Sequence, residues 1–477
     1  MNNFSGKRVA VIGAGRSGCA AAGALLRRGA QVALYDRKPS AELTLALPLA
    51  AQGVALHAET EAPPNLQGYD LVIVSPGVPP SHPIFALAEQ VNAPLWSEIE
   101  LAYHISPAPI IAITGTNGKT TTTMLIHHLL RTMGLKARLC GNIAGTEDDL
   151  TLTEAAEAAA PDEWLVAEVS SFQLLHTHAF RPRIAVITNI REDHLDYHGS
   201  WEAYALAKAK ILANLGAGDW AVLNGEDEGI QRMLQLISSS FRFYDAGERE
   251  GAGGSASPTL WERGQGCEGK PSIIFFTTAH PVVQLNDGVL NLAEVPMPAL
   301  RGKHNLENAL AAAHVAALLG GTVQPLREAF ATFKGVPHRM EFVGEWAGVR
   351  YINNSMCTNA DALESSLRAT PKPCLVIAGG VDKNDSIQQI AESLARHARF
   401  ALLIGRDGQA IGDALTRLGY LSWEYAATLE DAVKQAQAQA RAGETVILAP
   451  GCASFDQFRN FAHRGEEFKR LVKEVNG

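Results

Sequence analysis

The chain has 477 residues, 47% hydrophobic and 19% charged, with a formal net charge of −9. That length predicts about three domains of roughly 150 residues, each large enough to bury a core. The acidic balance argues against a nucleic-acid-binding protein, which is normally basic, yet it allows a nucleotide substrate in a locally positive site.

Met1 leads through Lys7 and Arg8 directly into an apolar strand ending at Ile12, so no leader is expected. Gly13-Ala-Gly15-Arg-Ser17-Gly18 follows, then an alanine-rich helix to Arg28 and a strand from Gln31 to Tyr35 closed by Asp36. Taken alone, this βαβ opening carries the dinucleotide fingerprint, with an acid about 20 positions on, and points to a nicotinamide or flavin. Leu71 to Val74 reads as a buried strand ended by Ser75-Pro76-Gly77-Val-Pro79, a turn that can offer amides to a phosphate or simply stop the strand. Residues 1–107 form a first, Rossmann-like domain.

The second domain, residues 108–335, opens on Ile110 to Ile113, an apolar strand, then Thr114-Gly115-Thr116-Asn117-Gly118-Lys119-Thr120-Thr121. Met124, Leu125, Leu129 and Met133 recur at helical spacing, and Gly134 sits where a C-cap glycine belongs. Strand, glycine loop, Lys-Thr and helix make a phosphate cradle: amides and the helix N-terminus face the anion, Lys119 adds a full charge, and a threonine hydroxyl can ligate Mg²⁺. The spacing is shorter than the usual loop, because Ile113 stands where the first glycine belongs, so these residues alone also fit an ordinary loop before a helix. Glu163 to Val169 is a strand presenting Glu168, and Ile184 to Asn189 a strand leading to Glu192-Asp193-His194-Leu-Asp196. Ligands of open α/β sheets bind outside the carboxyl ends of strands, so the loop, Glu168 and His194 fall on one rim. A helical stretch from Trp201 to Leu215 carries Lys208 and Lys210, and Trp220 to Asn224 is a further strand. Short strands are expected around Phe241 and Ile273, with a Gly/Ser-rich surface insert from Gly247 to Gly269, and a helix runs from Gly302-Lys-His-Asn305 to about Leu319.

Pro337-His-Arg339 marks the third domain, residues 336–477. Strands at Val349–Ile352, Cys374–Ala378, Phe400–Ile404 and Thr445–Leu448 alternate with helical stretches, which predicts a doubly wound, mostly parallel sheet. The six cysteines show no CxxC pair and read as idle thiols of a reducing compartment. No apolar stretch reaches the ~18 residues that span a bilayer, so a cytoplasmic protein without membrane insertion is expected.

Six motifs in this order resemble the Mur ligases of peptidoglycan precursor synthesis, with the related folylpolyglutamate synthetases. They are Thr114-Gly-Thr-Asn-Gly-Lys-Thr120, Glu168-Val-Ser-Ser-Phe-Gln-Leu174, Asn189-Ile-Arg-Glu-Asp-His-Leu-Asp196, Gly302-Lys-His-Asn305, Pro337-His-Arg339 and Ala453-Ser-Phe-Asp-Gln-Phe458. The second and last point to the glutamate-adding branch. The resemblance implies an α/β fold of three domains: a Rossmann-like first domain, a central P-loop ATPase-type domain with a mostly parallel sheet, and a Rossmann-like C-terminal domain. It also reassigns the first domain from a redox cofactor to a UDP-sugar, held by Gly13, Gly15, Ser17, Gly18, Asp36, Ser75, Pro76 and Gly77. The implied reaction ligates D-glutamate to UDP-N-acetylmuramoyl-L-alanine with ATP and Mg²⁺, through an acyl phosphate, in a monomer that needs neither nucleic acid nor membrane. By the same resemblance Gly115, Thr116, Asn117, Gly118, Lys119, Thr120 and Thr121, with Asn308, Arg339 and Asn354, hold ATP. Thr120, Glu168, His194 and Lys208, the last as a carbamate, hold magnesium. Asn142 contacts substrate, and Thr358, Lys383, Ser454 and Phe461 hold glutamate. Closure of the C-terminal domain about Gly335–His338 on nucleotide binding is a further expectation. One loop departs from the family: Asn353-Asn354-Ser-Met356-Cys-Thr-Asn359 has Asn354 in place of an aspartate and Met356 in place of a lysine. That leaves open the same fold adding L-glutamate. A folate-type ligase has little use for a uridine-binding domain, and a non-catalytic nucleotide-binding regulator has little use for Lys119, Glu168, His194 and Lys208 together.

Overall fold

The structure is a computed structural model that describes residues 3–143, 150–237, 271–300, 302–382 and 386–477. The expected strand near Phe241 and the Gly247–Gly269 insert lie outside the described residues. The chain divides into two compact units, Met1–Phe333 and Lys334–Gly477.

The first unit begins with five parallel strands, β1 (Arg8–Ile12), β2 (Gln31–Tyr35), β3 (Ala55–His57), β4 (Leu71–Val74) and β5 (Leu95–Ser97), in the order β3-β2-β1-β4-β5. The strand order reverses between β1 and β4, so the loops after Ile12 and Val74 flank the crevice where such sheets bind ligands. A second parallel sheet joins β6 (Ile110–Thr114), β7 (Ala137–Gly141), β8 (Trp164–Glu168), β9 (Ile184–Ile187), β10 (Trp220–Asn224) and β11 (Ser272–Phe276), ordered β11-β10-β9-β6-β8-β7. With β6 between β9 and β8, the loops that follow Thr114, Glu168 and Ile187 are neighbours. A hairpin, β12 (Val282–Leu285) and β13 (Gly288–Asn291), completes the unit's strands among the described residues.

The central strands read as continuous apolar runs because both faces are covered. Helix Lys119–Thr132 buries Leu125, Ile126, Leu129 and Leu130 on one face of the second sheet, with helix Lys303–Leu318 beside it. Each such side chain contributes about 1.5–3 kcal/mol relative to exposure. The opposite face shares one apolar core with the first sheet, through helices Arg16–Arg27, Glu98–Ile105 and Leu152–Ala158. Helix Trp201–Ala209 ends sooner than its pattern predicts, passing into a 3₁₀ turn at Lys210–Leu212.

The second unit holds β14 (Glu341–Trp346), β15 (Val349–Asn353), β16 (Cys374–Gly379), β17 (Phe400–Ile404), β18 (Trp423–Ala427) and β19 (Thr445–Leu448), ordered β14-β15-β19-β16-β17-β18. All pairs are parallel except β14–β15, so the sheet is mixed at one edge. Separate apolar cores cover its two faces. Among the described residues no helix is long and apolar enough to cross a membrane.

Candidate active site

The loop after β6 is shaped by two glycines that leave no room for a side chain unless a neighbour moves. Gly115 has φ +145° and Gly118 +82°. A Cβ on Gly115 would stand 2.0 Å from Thr188 Oγ1, and one on Gly118 2.3 Å from Asn308 Oδ1. The loop is stitched to the residues after β9: the Thr116 amide donates to the Asn189 carbonyl (2.9 Å), the Asn117 amide to Asn189 Oδ1 (2.9 Å), and Thr188 Oγ1 to the Asn117 carbonyl (2.6 Å). Helix Lys119–Thr132 starts at Gly118 with no side-chain cap and no acid in its first turn. Its positive end is therefore offered to an anion.

Lys119 folds back, Nζ donating to the carbonyls of Gly115 (3.0 Å) and Thr116 (2.8 Å). Lys208 reaches the same Gly115 carbonyl at 2.8 Å and is 2% exposed. Burial first, and then the charge of Lys119, hold the Lys208 amine well below the usual lysine range, against the pull of Asp193 and Glu168. The Tyr204 ring lies 4.6 Å from Lys208 Nζ, and its hydroxyl is 3.1 Å from Thr116 Oγ1. Thr120 Oγ1 donates to Glu168 Oε2 at 2.8 Å. The Asn142 amide donates to the Glu168 carbonyl at 2.8 Å, placing exposed Asn142 beside that strand end. Asn308, 4% exposed, accepts from Thr122 Oγ1 at 3.1 Å behind the loop. Thr121 stands half-buried in the helix's first turn.

His194 has φ +51° and is half exposed, its ring 4.9 Å from Phe172 and 6.4 Å from Tyr204. Ser170 caps the turn after Glu168 in a reciprocal box with Gln173. Among the described residues no three His, Cys, Asp or Glu side chains form a ready metal cage. The paired Thr120 hydroxyl and Glu168 carboxylate still suit Mg²⁺, which commonly takes one or two protein oxygens and completes its shell with phosphate and water.

At the switch point of the first sheet, Ser75 Oγ donates to the Gly13 carbonyl at 3.0 Å, and a Cβ on Gly18 would fall 1.8 Å from that oxygen. Helix Arg16–Arg27 begins at Gly15, again without a side-chain cap or an early acid. Ser17 lies in its first turn, and Pro76 and Gly77 line the facing turn, Gly77 exposed. Asp36 takes the Ala14 amide on Oδ2 (2.8 Å) and the Lys38 amide on Oδ1 (2.9 Å), so it also holds the glycine loop in shape.

In the second unit, Arg464 is 1% exposed and ties the loops at the carboxyl ends of β15 and β19 together. Its Nε donates to Ser355 Oγ (3.0 Å), one terminal nitrogen to the Ser355 carbonyl (2.9 Å) and the other to the Cys452 carbonyl (3.2 Å). Ser355 Oγ donates onward to the Phe461 carbonyl at 2.7 Å. Exposed Thr358, buried Ser454 and half-buried Phe461 thus sit on segments joined at the carboxyl ends of β15 and β19. Lys383 lies outside the described residues. Asn354 Oδ1 accepts the Met340 amide at 3.1 Å, Met356 is half-buried, and Arg339 is exposed.

The six motifs contain Asn189 but not Tyr204, Thr188 or Arg464, which also build the site. Tyr204 carries a usable signal, since it precedes Lys208 by one helical turn and so shares its face.

Residues 7–97 match the MurD-like N-terminal domain of Mur ligases, 113–316 the Mur ligase middle domain, and 338–452 the Mur ligase glutamate ligase domain. The chain is 38% identical over 476 residues to UDP-N-acetylmuramoylalanine–D-glutamate ligase of Pelotomaculum thermopropionicum, covering 99% of this chain and 98% of that protein. The chain belongs to the Mur ligase family. A second relative of this Mur ligase is the Bacillus subtilis protein of the same description, 36% identical over 461 residues, 96% of this chain and 95% of the other. Two solved structures share the Mur ligase fold: UDP-N-acetylmuramate-alanine ligase of Thermotoga maritima (TM-score 0.52, 19% identity, 98% and 99% covered) and folylpolyglutamate synthase of Mycobacterium tuberculosis complexed with ADP and AMPPCP (TM-score 0.52, 16%, 81% and 94%).

Proposed function

We propose that this Mur ligase uses ATP to join D-glutamate to UDP-N-acetylmuramoyl-L-alanine, forming a peptide bond of a peptidoglycan precursor. The observation that carries the reading is full-length identity of 36–38% to proteins described as D-glutamate ligases. Residues 1–107 hold the UDP-sugar, 108–335 hold ATP, and 336–477 hold glutamate.

A carboxylate is a poor acyl donor, and both it and the transferring phosphoryl group are anionic, so charge neutralisation dominates the chemistry. Lys119, the amides of Gly115–Gly118 and the N-terminus of helix Lys119–Thr132 hold the β and γ phosphates. Thr120 and Glu168 hold magnesium, with His194 on a second ion. Mg²⁺, when bound there, would supply positive charge that screens the phosphates. The alanyl carboxylate displaces ADP to form an acyl phosphate, and the amine of glutamate then expels inorganic phosphate.

Lys208, as a carbamate, supplies a further magnesium oxygen. Carbamylation needs a neutral amine to attack CO₂, and burial beside Lys119 favours that form. In the second unit, Thr358, Ser454, Phe461 and Lys383 receive the dicarboxylate. Asn308, Arg339 and Asn354 contact the nucleoside, and Asn142 the sugar-peptide. Hydroxylamine added during turnover tests the scheme, because it intercepts an acyl phosphate as a hydroxamate. A hydroxamate that forms only with ATP, Mg²⁺ and UDP-N-acetylmuramoyl-L-alanine supports it, and turnover without any trapped acyl group counts against it.

A further inference from the structure

Helix Glu98–Ile105 buries two carboxyl groups two residues apart, and they are held in opposite ways. Glu100 accepts the amides of His178 (2.9 Å), Ala179 (2.8 Å) and Phe180 (2.9 Å) and lies 3.1 Å from His104 Nε2. Burial resists its charge, yet these donors hold it below the ordinary carboxylate range. Glu98 has a different set of partners. Its Oε1 accepts from Gln173 Nε2 at 2.8 Å, and its Oε2 lies 2.9 Å from Thr153 Oγ1. The same Thr153 oxygen lies 3.1 Å from the main-chain oxygen of Glu98.

A hydroxyl carries one proton. Were Glu98 ionised, the single Thr153 proton would face two acceptors. With a carboxylic acid, Oε2–H donates to Thr153 Oγ1, Thr153 donates to the Glu98 carbonyl, and every contact has its own proton. Among the described residues, Glu154 on helix Leu152–Ala158 and Cys140 on β7 face this carboxyl from neighbouring elements, and neither supplies a positive charge. Glu98 is 1% exposed, and burial, aided by Glu154, pushes its carboxyl up, against the hydrogen bonds from Gln173 and Thr153. The helix N-terminus favours the charged form, but desolvation of a fully buried carboxylate is the larger effect.

The chain of contacts ends at the candidate site. Gln173 Oε1 accepts both the Ser170 amide (2.8 Å) and Ser170 Oγ (2.9 Å). Ser170 follows Glu168 by two residues, and Glu168 accepts the Thr120 hydroxyl.

We propose that Glu98 is a positioning residue, kept as a neutral carboxylic acid, that fixes the Gln173 amide and through it the turn behind Glu168. Its effect on turnover rests on the ligase reading above, whereas its protonation does not.

The test compares the full-length protein with Glu98→Gln and Glu98→Leu, in thermal unfolding from mildly acidic to mildly alkaline buffer and in steady-state phosphate release. The native state holds this proton more tightly than the unfolded chain, so wild-type stability should fall as pH rises above the unfolded carboxyl range. Glu98→Gln lacks that proton and should gain Tm relative to wild type as pH rises, with kcat and KM within about twofold, since its amide reproduces one donor and one acceptor. Glu98→Leu should lower kcat about 10–100-fold, the range seen when a supporting partner of a metal site is lost. A Glu98→Gln protein whose Tm deficit is constant across pH overturns the neutral acid. Unchanged kcat in both variants overturns the positioning role. Should Glu98→Leu not fold, Glu98→Gln still decides the first point, and Gln173→Leu, with the same kcat loss expected, decides the second. If wild type turns over no substrate, the ligase reading fails while the pH series still reads protonation.

Discussion

The Tyr197 hydroxyl donates to the main-chain oxygen of Val78 across 3.0 Å, joining the turn after His194 to the turn that ends β4. One turn flanks the switch point of the first sheet and the other carries an imidazole beside the second. If the UDP-sugar and ATP meet at one reaction centre, this tie sets the spacing of their loops. A single such bond is worth about 0.5–1.5 kcal/mol, or roughly 2–10-fold. Tyr197→Phe is therefore expected to raise KM for the UDP-sugar by that factor while KM for ATP stays within about twofold. Initial rates of phosphate release check it, and an unchanged UDP-sugar KM contradicts it.

Gly115 and Gly118 cannot carry a side chain without moving Thr188 or Asn308. Alanine at either position adds backbone strain of about 1–3 kcal/mol to that collision. Gly115→Ala is expected to lose ATP binding by at least tenfold and to unfold at a lower temperature. Calorimetric titration with a non-hydrolysable ATP analogue reads the first effect, and tight binding by the variant would show that the loop tolerates another path.

Held free of CO₂, so that no carbamate forms, Lys208 is a buried amine pushed toward the neutral form. The unfolded chain binds a proton that the native state resists, so this group makes stability increase with pH up to the unfolded lysine range. Below that range the cost is present, and it disappears as pH approaches about 10.4. Lys208→Met should thus be most favoured over wild type in acid buffer, with the gap narrowing as pH rises. Its activity should fall about 10²–10³-fold, the usual effect of losing a charge-stabilising group. Denaturant melts across pH and phosphate release with added bicarbonate test the two halves separately.

Arg464 keeps its charge to about pH 10 despite its burial, which lowers it from the ordinary guanidinium range. Arg464→Met leaves the Ser355 and Cys452 carbonyls without this donor, at about 1–3 kcal/mol for each group left unsatisfied. A rise in KM for glutamate at near-constant KM for ATP is expected. Equal changes in both would instead indicate general loosening.

Much of this was legible from residues near one another in the chain. The apolar runs of β1, β4, β6 and β9 are buried on both faces and read directly as strands. Glycine spacing before Lys119 carries the cradle, because the left-handed backbone at Gly118 is local chemistry. Strands β3 and β18 were not visible: three and five residues long, they lie at sheet edges with few buried positions. Lys208 and Gly115 are 93 residues apart, and Arg464 and Ser355 109 apart, so no local pattern announces either contact. The buried acid at Glu98 is hidden for the same reason: its partners Thr153 and Gln173 come from two other helices.

Asn354 and Met356 stand where the resemblance leads one to expect an aspartate and a lysine, so the identity of the incoming amino acid is the point most in need of measurement. Purified protein with UDP-N-acetylmuramoyl-L-alanine, ATP and Mg²⁺ should release phosphate with D-glutamate, form one equivalent of the D-glutamyl product, and stop when the metal is chelated. Turnover with L-glutamate but not D-glutamate, or phosphate release independent of any amino acid, would contradict it.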